Sequence, residues 1–338
     1  MAEVAQPIMR ITAPYREFGN HKDSIAAFAL FPNGRHMVTG SRDKTLHLWD
    51  LKDNVLLKKL EGHHHWVEAV TVSRDGQLIA SADEKGDVIA WRGDGEPLTQ
   101  ALKIHSGRIR SLDFSPDGAV LVTGSWDRTM ELWSTTNWQV QGDPINCGEV
   151  NCVRFSPSGE LLAIATHWDI QIWNPRTREC IVEFKAHAAI KSAWNFSVIW
   201  TPDGTRILSA GSYADPTIRE WNVSTWQQVG DPWRGHTDWI YDLALNSTGT
   251  LVASASDDYH VRLWRLSDRR TIAIFKSSEP VWCVTFSADD KHLFSSEYTT
   301  ISEWTVPEDV LLPGDVPEEL PEEVPEEQVT SEVRVSFH

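Results

Sequence analysis

Four histidines each stand 28 residues before a tryptophan: His21 and Trp49, His63 and Trp91, His105 and Trp133, His236 and Trp264. Between the members of three of these pairs lie a hydroxyl residue and an aspartate, namely Thr39 and Asp43, Thr123 and Asp127, Ser254 and Asp258. Histidine, hydroxyl and carboxylate are the parts of a hydrolase triad. Repetition at one offset argues against catalysis, because a catalytic site is needed once and a structural hydrogen-bond set is needed in every unit. The run His63-His64-His65 offers imidazoles for a metal. Sequence neighbours point apart on an extended chain, however, and His63 belongs to the repeated set. No phosphate-binding loop, Gly-x-Ser-x-Gly elbow, His-Glu-x-x-His pair or calcium loop occurs. No catalytic residue, metal or cofactor is therefore expected.

The elements that position these residues repeat with them. Trp49, Trp91, Trp133, Trp173, Trp221, Trp264 and Trp304 are spaced by 42, 42, 40, 48, 43 and 40 residues. His187 lies 34 residues before Trp221, which marks an insertion. A period of about 40–45 residues is that of a four-stranded propeller blade. Residues 109–134 illustrate the unit: an alternating apolar segment, a turn at Pro116-Asp117-Gly118, a second segment, a tight turn at Trp126-Asp127, and a third segment ending on Trp133.

These units resemble WD (Trp-Asp) repeats. The matching text is Gly62-His63, Gly235-His236, GSRDKTLHLWD (40–50), GSWDRTMELWS (124–134) and SASDDYHVRLWR (254–265). The resemblance covers about residues 7–306 and implies an all-β, seven-bladed β-propeller of four-stranded antiparallel blades. It also implies a structural tetrad in each blade. Carried over, the tetrads are His21, Thr39, Asp43 and Trp49; His105, Thr123, Asp127 and Trp133; and His236, Ser254, Asp258 and Trp264. Such a set gives a buried aspartate its donors and satisfies the indole N–H. By the same offsets, blade 2 has Lys85 where aspartate is expected. Blade 4 has Asn146, Ala163 and His167, and blade 7 has Ser277, Phe294 and Tyr298. Blade 5 keeps His187 and Asp215 across an extra residue near Tyr213-Ala214. A propeller must close or leave strand edges bare. Residues 7–18 are expected to supply the outer strand of the last blade, with 305–312 as the competing strand.

The chain has 31 Lys+Arg against 48 Asp+Glu, a net charge of −17. That excludes a general nucleic-acid binder, which needs clustered positive charge, and argues against anionic membranes. Four cysteines, Cys147, Cys152, Cys180 and Cys283, form no disulfide framework, which points to the cytoplasm or nucleus. The domain reading is a propeller over 1–306 and a disordered acidic tail over 307–338. That tail contains Pro-Glu-Glu repeats at 317–328.

Function is then expected on a surface. Counting three and five residues after each histidine, and one before each tetrad aspartate, collects one face. It comprises Arg42, Trp66, Glu68, Arg108, Arg110, Trp126, Trp239, Tyr241, Asp257 and Trp282, and Trp168 lies nearby in the altered turn of blade 4. Tryptophan, tyrosine and arginine dominate the energetics of protein interfaces. The expected function is a non-catalytic scaffold binding a protein or peptide partner, such as a multi-subunit complex, without nucleic acid or membrane. The alternative is a propeller enzyme or small-ligand binder using the central channel. That alternative needs convergent acids and bases near the axis, and only the dispersed Glu68, Glu149 and Asp257 are visible in the sequence.

Overall fold

The computed structural model describes residues 8–187 and 195–308. The 188–194 segment and most of the proposed tail (309–338) lie outside the described residues. Seven sheets built on antiparallel blades follow one another around a channel, each numbered by its order in the chain. Blade 1 runs Ile25–Leu30, His36–Ser41, Thr45–Asp50 and Val55–Glu61 from the axis outward. The blades are not all alike. Blade 3 builds its outer strand in two pieces, Gln139–Val140 and Ile145–Asn146. Blade 5 has a three-stranded ladder, and its outer position is held by the bridges Ile218–Trp233 and Trp221–Gln228.

The ring closes through the N-terminus. Arg16–Gly19 pairs antiparallel with Thr300–Thr305, with Phe18 opposite Ile301, and completes blade 7. The segment expected to do this is divided between two blades. Met9–Ile11 runs parallel to the outer strand of blade 6, Thr271–Lys276, and makes it five-stranded. Phe18 is 1% exposed and packs in one core with Trp49 and Phe294, which come from blades 1 and 7. The first and last blades are therefore joined by apolar contact as well as by the ladder.

Between blades the core consists of aliphatic and aromatic side chains from facing sheets. One such cluster joins Val122 and Leu132 of blade 3 to Val153 and Ile164 of blade 4. On the lower face the turns interlock. Gly159 and Gly204 hold φ near +75° and +69°, where a Cβ would be strained, and Pro116 and Pro157 of the preceding blades lie against them.

Candidate partner-binding face

Blade 6 defines the buried set. The Trp264 indole donates to Ser254 Oγ at 2.8 Å, Ser254 Oγ meets His236 Nε2 at 2.7 Å, and His236 Nδ1 meets Asp258 Oδ2 at 2.8 Å. One proton arrangement satisfies every group: indole N–H into the hydroxyl oxygen, hydroxyl proton to Nε2, Nδ1–H to carboxylate. The imidazole is then neutral. Burial holds His236 below the ordinary histidine value, against the pull of Asp258. Burial alone would raise Asp258, but the hydrogen bond from His236 draws it down to about 2. Blades 1 and 3 have the same connections, through His21–Asp43 at 2.9 Å and His105–Asp127 at 3.0 Å. Blade 5 repeats them through His187, Ser209, Asp215 and Trp221.

This is the bond order of a hydrolase triad, but the hydroxyl residues Thr39, Thr123, Ser209 and Ser254 are each 0% exposed. Their oxygens also receive the indole N–H, so no substrate reaches them. The aspartate has a second task. Asp43 accepts from the amides of Lys22 at 2.9 Å and Thr45 at 3.0 Å, and between its own position and Thr45 lies Lys44 at φ +74°. That left-handed residue is disfavoured on its own, so the aspartate clamps the turn and fixes the direction of Arg42.

Three offset readings need correction. In blade 2 the carboxylate is not missing at Lys85. Asp83 supplies it from the position held by Ser41, Ser125 and Ser256 elsewhere, with Oδ2 3.2 Å from His63 Nδ1. Its side chain is longer than serine and reaches the same imidazole. In blade 7 the turn between second and third strands is one residue shorter. The hydroxyl facing Trp304 is therefore Ser295, at 2.8 Å, and not Phe294. Blade 4 is rewired: Trp173 donates to Gln171 Oε1 at 3.0 Å, and Gln171 Nε2 donates to the Cys147 carbonyl and to Asp169. His21, Asp43 and His47 come within 4.8 Å of one another. Both nitrogens of His21 are engaged, and His47 stacks on it at 3.7 Å and 11°. Parallel rings aim their lone pairs side by side, which suits a metal poorly.

The upper face has its own device. In six blades the inner strand carries a β-bulge, and the extra residues are Ala26, Glu68, Arg110, Asn151, Phe196 and Tyr241. A bulge re-aims a side chain. These six, with Trp282, line a cavity of about 110 Å³ at the channel mouth. Two residues earlier, main-chain carbonyls accept from the adjacent turn: Trp66 from Glu84, Arg108 from Trp126, Trp239 from Asp257. These bonds bring the residues counted after histidine and those counted before aspartate to one rim.

Glu68 is 2% exposed, so it is not the exposed position that its offset suggested. It accepts from Arg110 at 2.9 Å and lies 3.8 Å from both Arg42 and Arg108. Arg42 sits 5.1 Å from the Trp66 ring and 5.0 Å from the Trp282 ring, and Arg108 sits 5.1 Å from Trp126. Cation–π contacts of this kind hold arginine flat against indole. Trp282 stacks on Tyr241 at 5.4 Å, and Trp239 stacks on Phe196 at 5.1 Å. Tyr241 also reaches Asp257 at 3.4 Å, and burial followed by the Asp238 charge raises the Asp257 carboxyl above its usual range. Trp66 is 37% exposed and Trp168 52%, whereas Trp126, Trp239 and Trp282 are half-buried. Phe196 and the exposed Tyr213, stacked on Trp239, also join this rim. Sequence counting missed them because the blade 5 insertion breaks the offset.

Midway down the channel sits a polar cluster that the sequence reading also missed. Arg154 donates to Ser111 Oγ at 3.0 Å and has the carboxylates of Asp113 and Asp242 nearby, which hold its proton tightly. Burial raises Asp113 to about 6 and raises Asp242 as well, each partly offset by Arg154. Asp113 accepts the Phe155 amide of blade 4 at 2.7 Å, and Asp242 accepts the Val284 amide of blade 7 at 3.1 Å. These carboxylates stitch one inner strand to the next.

The repeats match the family model described as "WD domain, G-beta repeat" seven times, at residues 12–50, 54–92, 95–134, 141–174, 178–222, 227–265 and 269–305. The chain belongs to this family of WD-repeat β-propellers. Among individual relatives, it is 23% identical over 74% of its length to "p21-activated protein kinase-interacting protein 1-like" of Xenopus laevis, covering 67% of that protein. It is 28% identical over 84% of its length to "Ribosome biogenesis protein WDR12 homolog" of Nematostella vectensis, covering 66%. It is 26% identical over 76% of its length to "Nuclear distribution protein PAC1" of Arthroderma otae, covering 62%. The chain thus spans about two thirds or less of the curated relatives it matches. No helix among the described residues is long and apolar enough to cross a membrane.

Proposed function

We propose that this propeller is a non-catalytic interaction module of the cytoplasm or nucleus, working within a larger protein assembly. It binds a protein or peptide on the upper rim formed by Arg42, Trp66, Glu68, Arg108, Arg110, Trp126, Trp168, Trp239, Tyr241, Asp257 and Trp282. The observation that carries this is the continuous run of contacts Trp66–Arg42–Trp282–Tyr241 around the channel mouth. Rings and guanidiniums braced in this way lose little freedom on binding, which is how aromatic and arginine side chains serve as anchors. The names of two relatives, one a kinase-interacting protein and one a ribosome biogenesis protein, are consistent with such a role. Catalysis in the channel is disfavoured because Asp113 and Asp242 are committed to main-chain amides of neighbouring blades.

The test is affinity purification from the native cell with wild type, Trp66→Ala and Trp168→Ala, alongside a lower-face variant, Arg74→Ala. Rim variants should keep the wild-type melting temperature and lose about 30-fold in affinity for a captured partner, corresponding to about 2 kcal/mol. Unchanged capture of every partner by a stable Trp66→Ala/Trp168→Ala double variant would remove this reading.

A further inference from the structure

The upper rim holds more positive charge than its own carboxylates neutralise. Arg42 of blade 1 and Arg108 and Arg110 of blade 3 converge on Glu68 of blade 2. The only other carboxylate paired with them is Glu84, also of blade 2, so three guanidiniums face two acids. This surplus stands out in a chain whose net charge is −17. Across the mouth the sign reverses, with the charges of Asp257 and Asp238 acting on Tyr241 of blade 6.

Glu68 is shared too thinly to satisfy all three arginines. Its Oε2 accepts from Arg110 at 2.9 Å. Its Oε1 is buried, has no hydrogen-bond partner, and lies 3.8 Å from both Arg42 Nε and a terminal nitrogen of Arg108. Arg108 stands 3.6 Å from Glu84. These separations exceed hydrogen-bond length. The buried Arg42 Nε is likewise without a partner among the described residues. The Arg42 and Arg108 side chains are 22% and 24% exposed, so a partner can reach them. Indoles hold both in place, Trp66 and Trp282 beside Arg42 and Trp126 beside Arg108. A guanidinium stacked on a ring keeps its N–H donors at its edge, where a planar carboxylate takes two of them.

We infer that the partner inserts one aspartate or glutamate side chain at this rim, its carboxylate bound by Arg42 and Arg108. The inference rests on the partner-binding reading of the rim and adds the chemistry recognised there. One carboxylate balances the surplus of one positive charge, whereas a phosphate dianion overshoots it. Asp238 and Asp257 repel an acid from the opposite side of the mouth, which directs it to blades 1 and 3.

The experiment selects phage-displayed random peptides on the full chain. Expected is enrichment of Asp or Glu at one position, lost against Arg42→Gln/Arg108→Gln and kept against the lower-face variant Arg74→Gln. The strongest peptide is then synthesised with its acid changed to Asn or Gln. That change should weaken binding to the wild-type chain about 10-fold or more. This measurement needs no protein variant, so it decides the matter whether or not the arginine double variant folds. Peptides that bind through Trp66 and Trp168 without any preference for an acid would overturn the carboxylate site and leave the rim reading intact. Peptides indifferent to both the tryptophan and the arginine double variants would overturn both. An empty selection would overturn the carboxylate site, as would tighter binding with phosphoserine in place of the acid.

Discussion

Blades 6 and 4 hold the same fold by different means. In blade 6 a neutral histidine passes hydrogen bonds from Trp264 through Ser254 to Asp258, and the aspartate clamps the turn that projects Asp257. In blade 4 there is no histidine or hydroxyl at these positions, and Gln171 alone ties Trp173 to Asp169 and to the Cys147 carbonyl. The requirement common to both is that the buried indole N–H and the turn amides find acceptors. The tetrad is one solution to that requirement. A glutamine on the third strand is another, and it carries no titrating imidazole.

Mutation should separate the two solutions. Asp258→Ala should have the largest effect, about 2–4 kcal/mol in urea unfolding, because it strands His236 and the amides of Thr237 and His260. An effect as small as that of a surface change would mean that the tetrad does not hold the blade.

Acid should come next. Burial, with the charge of His21 adding to it, holds His47 down to about 4, and burial also depresses His187 and His236. A histidine whose folded pKa lies below its unfolded value opposes folding once the unfolded chain takes up protons. Stability should therefore fall as pH drops from about 6.5 towards 4, by about 2–3 kcal/mol for His47. Below about pH 4 the depressed Asp43, Asp127 and Asp258 should add a second loss. Blade 4, with Asn146 where blades 1, 2, 3, 5 and 6 have histidine, contributes nothing at that position. His47→Gln should flatten the upper part of the profile, and urea midpoints across pH 4–7 measure it.

Gln171→Ala should cost about 1–2 kcal/mol, less than Asp258→Ala, since it leaves one indole N–H and one carbonyl unpaired. A larger loss than that of Asp258→Ala would reverse the ranking of the two blades. Trp66→Ala should change stability least, by under about 1 kcal/mol, because the ring is 37% exposed and its main contact is Arg42. Thermal melting checks this, and a drop of about 3 kcal/mol would mark Trp66 as a wedge between blades.

The spacing of His21, His63, His105 and His236 from their tryptophans was legible because each blade must satisfy the same buried groups at the same place. Closure by the N-terminus was legible for a similar reason: a ring has no room for a bare edge. The substitutes were harder to see. Asp83 and Ser295 occupy places set by side-chain reach and turn length, and counting residues assigned their roles to Lys85 and Phe294.

Local periodicity along the chain thus determined the blades, their number and the tetrads, since each depends on groups within one repeat. Only the tertiary structure decided what lies between repeats. It split the N-terminal segment between blades 6 and 7, and it gathered Arg154, Asp113 and Asp242 in the channel. It also buried Glu68, of blade 2, among three arginines drawn from the two blades on either side of it. Contacts of that kind join residues in different repeats, and no spacing within a single repeat encodes them.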